Sequence, residues 1–206
     1  MWNSFLDHHI PPLPALKTEK LAELLSLVLS PSTLGALAAA ALVASETAEA
    51  TLAPLIGFGM GLVFLGILPA APVAAGDGVN GLSGTSITDK SRRVALLLWA
   101  APVYAAGALA FRLIGWTSLS FLSVSYSLAA LALAVTSTRV RVSLHAAGLA
   151  VPGVTLALLR GVWWLFSLAL VIPVAWARIK LGVHTLAHVL LGAVIGGLIP
   201  LLIWFL

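Results

Sequence analysis

The 206-residue chain contains no cysteine and no glutamine, and its only asparagines are Asn3 and Asn80. Without cysteine there can be no disulfide, no thiolate chemistry and no cysteine-based metal site. Charge is equally scarce. Charged residues make up 9% of the chain and hydrophobic ones 61%, whereas a soluble domain carries roughly 25% charged residues. So little polar surface cannot clothe a water-soluble core of this size. Lipid is the solvent that the composition fits.

The small excess of basic residues, 11 against 7 acidic, is too scattered for a nucleic-acid groove. In a membrane protein it suits orientation or contact with anionic headgroups. The opening residues do not resemble a secretory signal, because Asp7, His8, His9 and three prolines precede the first apolar run.

Residues 1–31 read as a proline-broken leader followed by an interfacial helix. In that helix Leu21, Leu24, Leu25 and Val28 share one face, opposite Glu19 and Glu23. Residues 32–206 read as an all-α polytopic bundle of six or seven spans. Its apolar stretches fall at 32–50, 52–75, 94–115, 119–137, 146–160, 161–177 and 184–206; about 20 residues suffice to cross the hydrocarbon. The intervening breaks are polar, and residues 76–93 form the longest of them. Abundant glycine and alanine within the spans favour close helix packing.

Counting crossings from that loop returns the chain to the same face at residues 136–141 and again at 178–180. One end of the bundle then gathers Asp89, Lys90, Arg92 and Arg93; Arg139, Arg141, Ser143 and His145; and Arg178, Lys180, His184 and His188. Guanidinium groups pair with phosphate oxygens through two parallel hydrogen bonds, and imidazole can attack phosphorus or carry protons near neutral pH. Glu46, Glu49, Arg112 and Arg160 fall on the other face as boundary residues. By this count nine basic residues lie on the site face and two on the other. Setting aside Arg92, Arg93 and Arg178 as site residues leaves six against two, which puts the site on the cytoplasmic side of the cell membrane.

The segment 177–192 (ARIKLGVHTLAHVLLG) resembles the third signature of the type 2 phosphatidic acid phosphatase superfamily: Ser-Arg, five residues, His, three residues, Asp. Arg178 and His184 match it. Residues 142–145 (VSLH) resemble the second signature, Pro-Ser-Gly-His, through Ser143 and His145. Residues 87–93 (ITDKSRR) resemble a divergent first signature, normally Lys, six residues, Arg-Pro. Order and separation agree as well, with 52 residues from Arg93 to His145 and 33 from His145 to Arg178. The likeness covers roughly residues 85–195.

The departures are specific. Val142 and Leu144 replace the proline and glycine of the second signature. Ser86 stands where the first signature's lysine would fall, so Lys90 would have to serve, and Val94 replaces its proline. Ala177 replaces the third signature's serine, and His188 replaces its aspartate.

The resemblance implies a metal-independent, cofactor-free lipid phosphate or polyprenyl (di)phosphate phosphatase with a phosphohistidine intermediate. His184 would be the nucleophile and His145 would protonate the leaving alkoxide. Arg93, Arg178, Arg92 and Lys90 would hold the phosphoryl oxygens, with Ser143 and the first amides of the following helix as further donors. His188, one turn beyond His184, would accept a hydrogen bond from the His184 Nδ1 proton in place of the aspartate, and Asp89 or Asp77 would supply the missing charge. Two histidines at this spacing could instead ligate a metal. A non-catalytic lipid-phosphate binder or transporter and a lipid phosphotransferase stand as alternatives. The expected partners are a lipid phosphate and membrane lipids, with a homo-oligomer left open.

Overall fold

A computed structural model describes residues 13–46, 53–82 and 89–206, with side chains omitted for 13–16 and 77–82. All secondary structure among these residues is helical. In order they are α1 (Leu13–Val28), α2 (Pro31–Ser45), α3 (Ala53–Gly61), a π-helical turn (Leu62–Ile67), α4 (Leu68–Leu82), α5 (Lys90–Leu113), α6 (Thr117–Ser137), α7 (Leu144–Arg160), a 3₁₀ segment (Val162–Leu170), α8 (Val171–Lys180) and α9 (Leu186–Phe205).

Among the described residues, five helices are long and apolar enough to cross a membrane: Ala53–Gly76, Lys90–Leu113, Thr117–Ser137, Val162–Lys180 and Leu186–Phe205. The pair α1–α2, bent by 46°, makes a sixth if the two halves form one broken span. Helix α7 is apolar but shorter, so the expected span at 146–160 is the weakest by length. The exterior is compatible with an integral membrane protein. In the Val162–Lys180 span only 17% of the apolar window is buried, so its outward side chains face away from any protein core and suit lipid.

Helix boundaries differ from the sequence expectation mainly around residues 76–93. Helix α4 runs through Gly76 and Gly78 to Leu82, and α5 begins at Lys90 with Asp89 as its N-cap. Helix α1 buries little of its apolar face in protein. Leu21, Leu24 and Val28 are half exposed, and the small residues Ala22 and Ser26 are its buried positions. Helix α1 packs chiefly against α8 through these small residues, and its leucines face away from the bundle, as an interfacial helix with its apolar face toward lipid would place them.

Prolines inside the helices leave carbonyls without an in-helix donor four residues earlier. Two of these are satisfied from neighbouring helices. Pro72 frees the Leu68 carbonyl, which accepts the Trp99 indole N–H at 3.0 Å and ties α4 to α5. Pro152 frees the Gly148 carbonyl, which accepts the Tyr126 hydroxyl at 2.8 Å and ties α6 to α7.

Helices α7 and α9 approach closely because Gly192 and Gly196 face the α7 backbone. A Cβ on Gly196 would lie 2.5 Å from the Ala147 carbonyl oxygen, and one on Gly192 would strike the Ser143 carbonyl. This small-xxx-small contact brings the starts of α7 and α9 together. At the opposite end Arg160 pairs with Glu46 at 2.9 Å and donates to the Ser118 hydroxyl, joining α2, α6 and α7. Glu49 lies outside the described residues.

Candidate functional site

Helix α5 starts where the Asp89 side chain accepts the Arg92 amide. The Ser91 hydroxyl, followed by that amide, holds the exposed Asp89 carboxyl below its usual range. One turn into the helix, Arg93 turns inward and is buried. Helix α7 starts at the Ser143 N-cap, whose hydroxyl accepts the Ala146 amide at 3.4 Å, while the Ser143 N–H donates to the His188 carbonyl at 3.0 Å. This places His145 in the first turn of α7.

Helix α8 ends in a Schellman arrangement. The Gly182 amide donates to the Ile179 carbonyl and the Val183 amide to the Arg178 carbonyl, with Gly182 at φ +65°. Glycine occupies that left-handed position without steric cost. The His184 amide donates to the same Arg178 carbonyl at 3.2 Å, which fixes His184 beside Arg178.

Arg93, His145, Arg178 and His184 all line one cavity of about 140 Å³. Three segments far apart in sequence thus meet at one end of the bundle, as the crossing count requires. All four side chains are buried, Arg178 to 2% exposure. Among the described residues, no carboxylate lines the cavity. Below this basic end the lining becomes apolar along α5, α6 and α7.

His184 lies in the loop between α8 and α9. Burial first, then Arg178, Arg93, His188 and Arg141, push its imidazole down to about 3. The ring is therefore neutral at physiological pH. Its Nδ1 is buried and has no hydrogen-bond partner among the described residues. His145 Nε2 lies 3.0 Å from the Ser26 carbonyl oxygen. A carbonyl only accepts, so this nitrogen carries the proton and Nδ1 is left as the acceptor.

The other expected site residues stand elsewhere. The His188 ring lies 5.9 Å from that of His184, nearly perpendicular to it. It does not accept a hydrogen bond from His184 Nδ1, which is without a partner among the described residues; its own Nδ1 accepts the Thr185 amide at 3.3 Å while Thr185 Oγ1 accepts the His188 amide. His188 thereby closes a capping box at the start of α9. Ser143 is wholly buried and spends its hydroxyl on capping α7 rather than on the cavity. Lys90 and Asp89 are exposed and border a shallow depression on another side of α5, with Val94, Leu98 and Thr138. Arg92 lies toward Gly76 of α4 and does not line the cavity. The Asp77 side chain lies outside those described.

Residues that sequence reasoning did not single out also belong to the site. Ser26 of α1 holds His145. Tyr104 and Tyr126 line the apolar part of the cavity. A proline four residues after Gly148 signalled an orphan carbonyl, but nothing in the sequence named Tyr126 as its partner. Arg141, gathered at this end by the crossing count, is close enough to act electrostatically on both Arg93 and His184. No group of three or more His, Asp or Glu side chains suited to a metal ion occurs among the described residues.

Comparison with protein-family models, curated proteins and solved structures finds no match for this chain.

Proposed function

We propose that this protein is a membrane phosphatase for lipid phosphates or polyprenyl (di)phosphates, a divergent relative of the type 2 phosphatidic acid phosphatases. One observation carries the reading. Two arginines and two histidines from α5, α7 and the α8–α9 junction line a single cavity that continues into an apolar chamber. Such a lining complements a phosphate head attached to an apolar tail.

In the first step a neutral His184 nitrogen donates its lone pair to phosphorus. The P–O bond to the lipid alcohol breaks, and the departing alkoxide takes a proton from water, a loss balanced when the attacking water of the second step gives up its own. Arg93 and Arg178 stabilise the charge on the equatorial oxygens. Water then attacks the phosphohistidine, the P–N bond breaks, and inorganic phosphate leaves. With Nε2–H committed to Ser26, His145 presents Nδ1 as a base, which suits activation of this water. Its expected role as acid in the first step requires a proton on Nδ1.

A second reading, a non-catalytic lipid-phosphate binder, is favoured by the absence, among the described residues, of a carboxylate beside His184 and by the commitment of His188 to helix capping. The two readings separate in one experiment. Purified protein without added metal should release phosphate from at least one of phosphatidate, phosphatidylglycerophosphate, a polyprenyl diphosphate and a single-chain alkyl phosphate, and His184→Ala should abolish release. Turnover that survives His184→Ala excludes the nucleophile. Binding without turnover in the unaltered protein establishes the binder.

A further inference from the structure

The cavity extends well below its basic end. On α5 its lining runs from Arg93 through Leu97 and Ala100 to Tyr104, positions that share one helical face. At 1.5 Å per residue the first and last of these lie roughly 16 Å apart along the axis. Helix α6 supplies Leu133, Ala130, Ala129 and Tyr126 in matching order. The two helices are antiparallel: the Ser127 hydroxyl donates to the Ala101 carbonyl and that of Ser120 to the Ala108 carbonyl, each at 2.9 Å. Alanine on both sides leaves the chamber open.

The chamber stops at two tyrosines. Tyr104 and Tyr126 stack with ring centroids 5.1 Å apart, and the Tyr126 hydroxyl is pinned by the Gly148 carbonyl that Pro152 frees. Deeper along the same helices Phe111, Leu119 and Leu122 are fully buried and fill the interior. The whole cavity, basic end included, measures about 140 Å³. Sites for drug-sized ligands span about 300–1,000 Å³, so this chamber is a narrow one. Two acyl chains do not fit side by side.

Building on the phosphatase or binder reading, we propose that the chamber selects phosphate monoesters carrying one slim apolar chain. The Tyr104–Tyr126 stack would set the longest chain admitted. The phosphate sits among Arg93, Arg178, His145 and His184, and the chain descends between α5 and α6 instead of remaining in the bilayer.

The test uses the full chain in nanodiscs and a series of n-alkyl phosphates of increasing length, with inorganic phosphate as the chainless probe. Binding is measured by competition rather than by turnover. In the unaltered protein, affinity should rise with chain length and then break at a limit. Tyr104→Ala should move that limit to longer chains, Ala130→Leu to shorter ones, and Tyr104→Phe, which keeps the stack, should leave it in place. Shifts in opposite directions cannot come from misfolding. If short alkyl phosphates bind but the limit is missing, or is the same in every variant, the tyrosine stop is wrong while the phosphate-site reading stands. If neither inorganic phosphate nor any alkyl phosphate binds the folded protein, that reading fails and the chain selection falls with it.

Discussion

The rings of His184 and His188 stand 5.9 Å apart and nearly perpendicular, yet they share no hydrogen bond, because His188 turns its Nδ1 to the Thr185 amide. The residue one turn beyond the candidate nucleophile thus completes a helix start and gives no support to that nucleophile. His188→Asp would restore a carboxylate at this place. An acidic side chain at N3 can still close the capping box and favours the positive end of α9. If the protein is a phosphatase, release should rise by about 10²–10⁴-fold, the scale seen when an orienting carboxylate is altered in a triad. An unchanged rate with lipid-phosphate binding intact would favour the binder.

The depressed imidazole of His184 has a signed consequence for stability. Its ordinary value of 6.5 falls to about 3 in the fold. The unfolded chain therefore binds the extra proton first as pH falls. The contribution is fully present above about pH 6.5 and is lost progressively toward pH 3. Thermal unfolding of the protein and of His184→Gln should show an advantage for the unaltered chain that shrinks through this window. In ¹⁵N-histidine NMR, the resonance missing from His184→Gln should keep its neutral-state shift as pH drops below 6.5. A midpoint near 6.5 would mean that the ring is solvated.

Arginine identity should matter more than charge inside the cavity. Arg93→Lys and Arg178→Lys keep a cation but lose the planar fork that matches phosphate. Each should lower phosphate release by roughly 10²–10³-fold, as loss of one transition-state donor does. Lys90→Ala, on the outer side of α5, and Arg160→Ala, paired with Glu46 at the far end, should leave release near its starting value. Equal losses in all four variants, measured on folded protein, would detach activity from this cavity.

The glycine contact between α7 and α9 should be intolerant of a single methyl group. Gly192→Ala and Gly196→Ala force the new Cβ against the Ser143 and Ala147 carbonyls and should each cost about 1–3 kcal/mol. Gly197 is the control, since its Cβ would meet Val154 at an ordinary 3.5 Å. Gly197→Ala should be neutral or stabilising through helix propensity. Detergent thermal-unfolding midpoints would rank the three.

Much of the helix plan was legible because lipid imposes a minimum length on apolar runs. Breaks at Thr117, Arg160 and Lys180 coincide with helix ends to within a few residues. The extent of α4 was not legible, because Gly76 and Gly78 resemble a break whereas the helix runs on to Leu82. The start of α5 was readable in principle from Asp89 as an N-cap. The convergence of Arg93, His145 and Arg178 followed from parity of crossings alone. Which polar neighbour would turn inward did not follow: Arg93 enters the cavity, while Arg92 and Lys90 stay out of it. The capping role of His188 was hidden because such boxes ordinarily end in Glu or Gln.

One contact joins the amino-terminal helix to the chemistry at the heart of the bundle. The Ser26 carbonyl lies in the last turn of α1, where backbone acceptors run out of in-helix donors. The acceptor is completed by a ring 119 positions away in sequence. Undocking α1 would strip the imidazole of the acceptor that fixes its tautomer, and rotating the imidazole would uncap α1. Seating of α1 and orientation of the His145 ring are therefore a single event, and whatever displaces one resets the other.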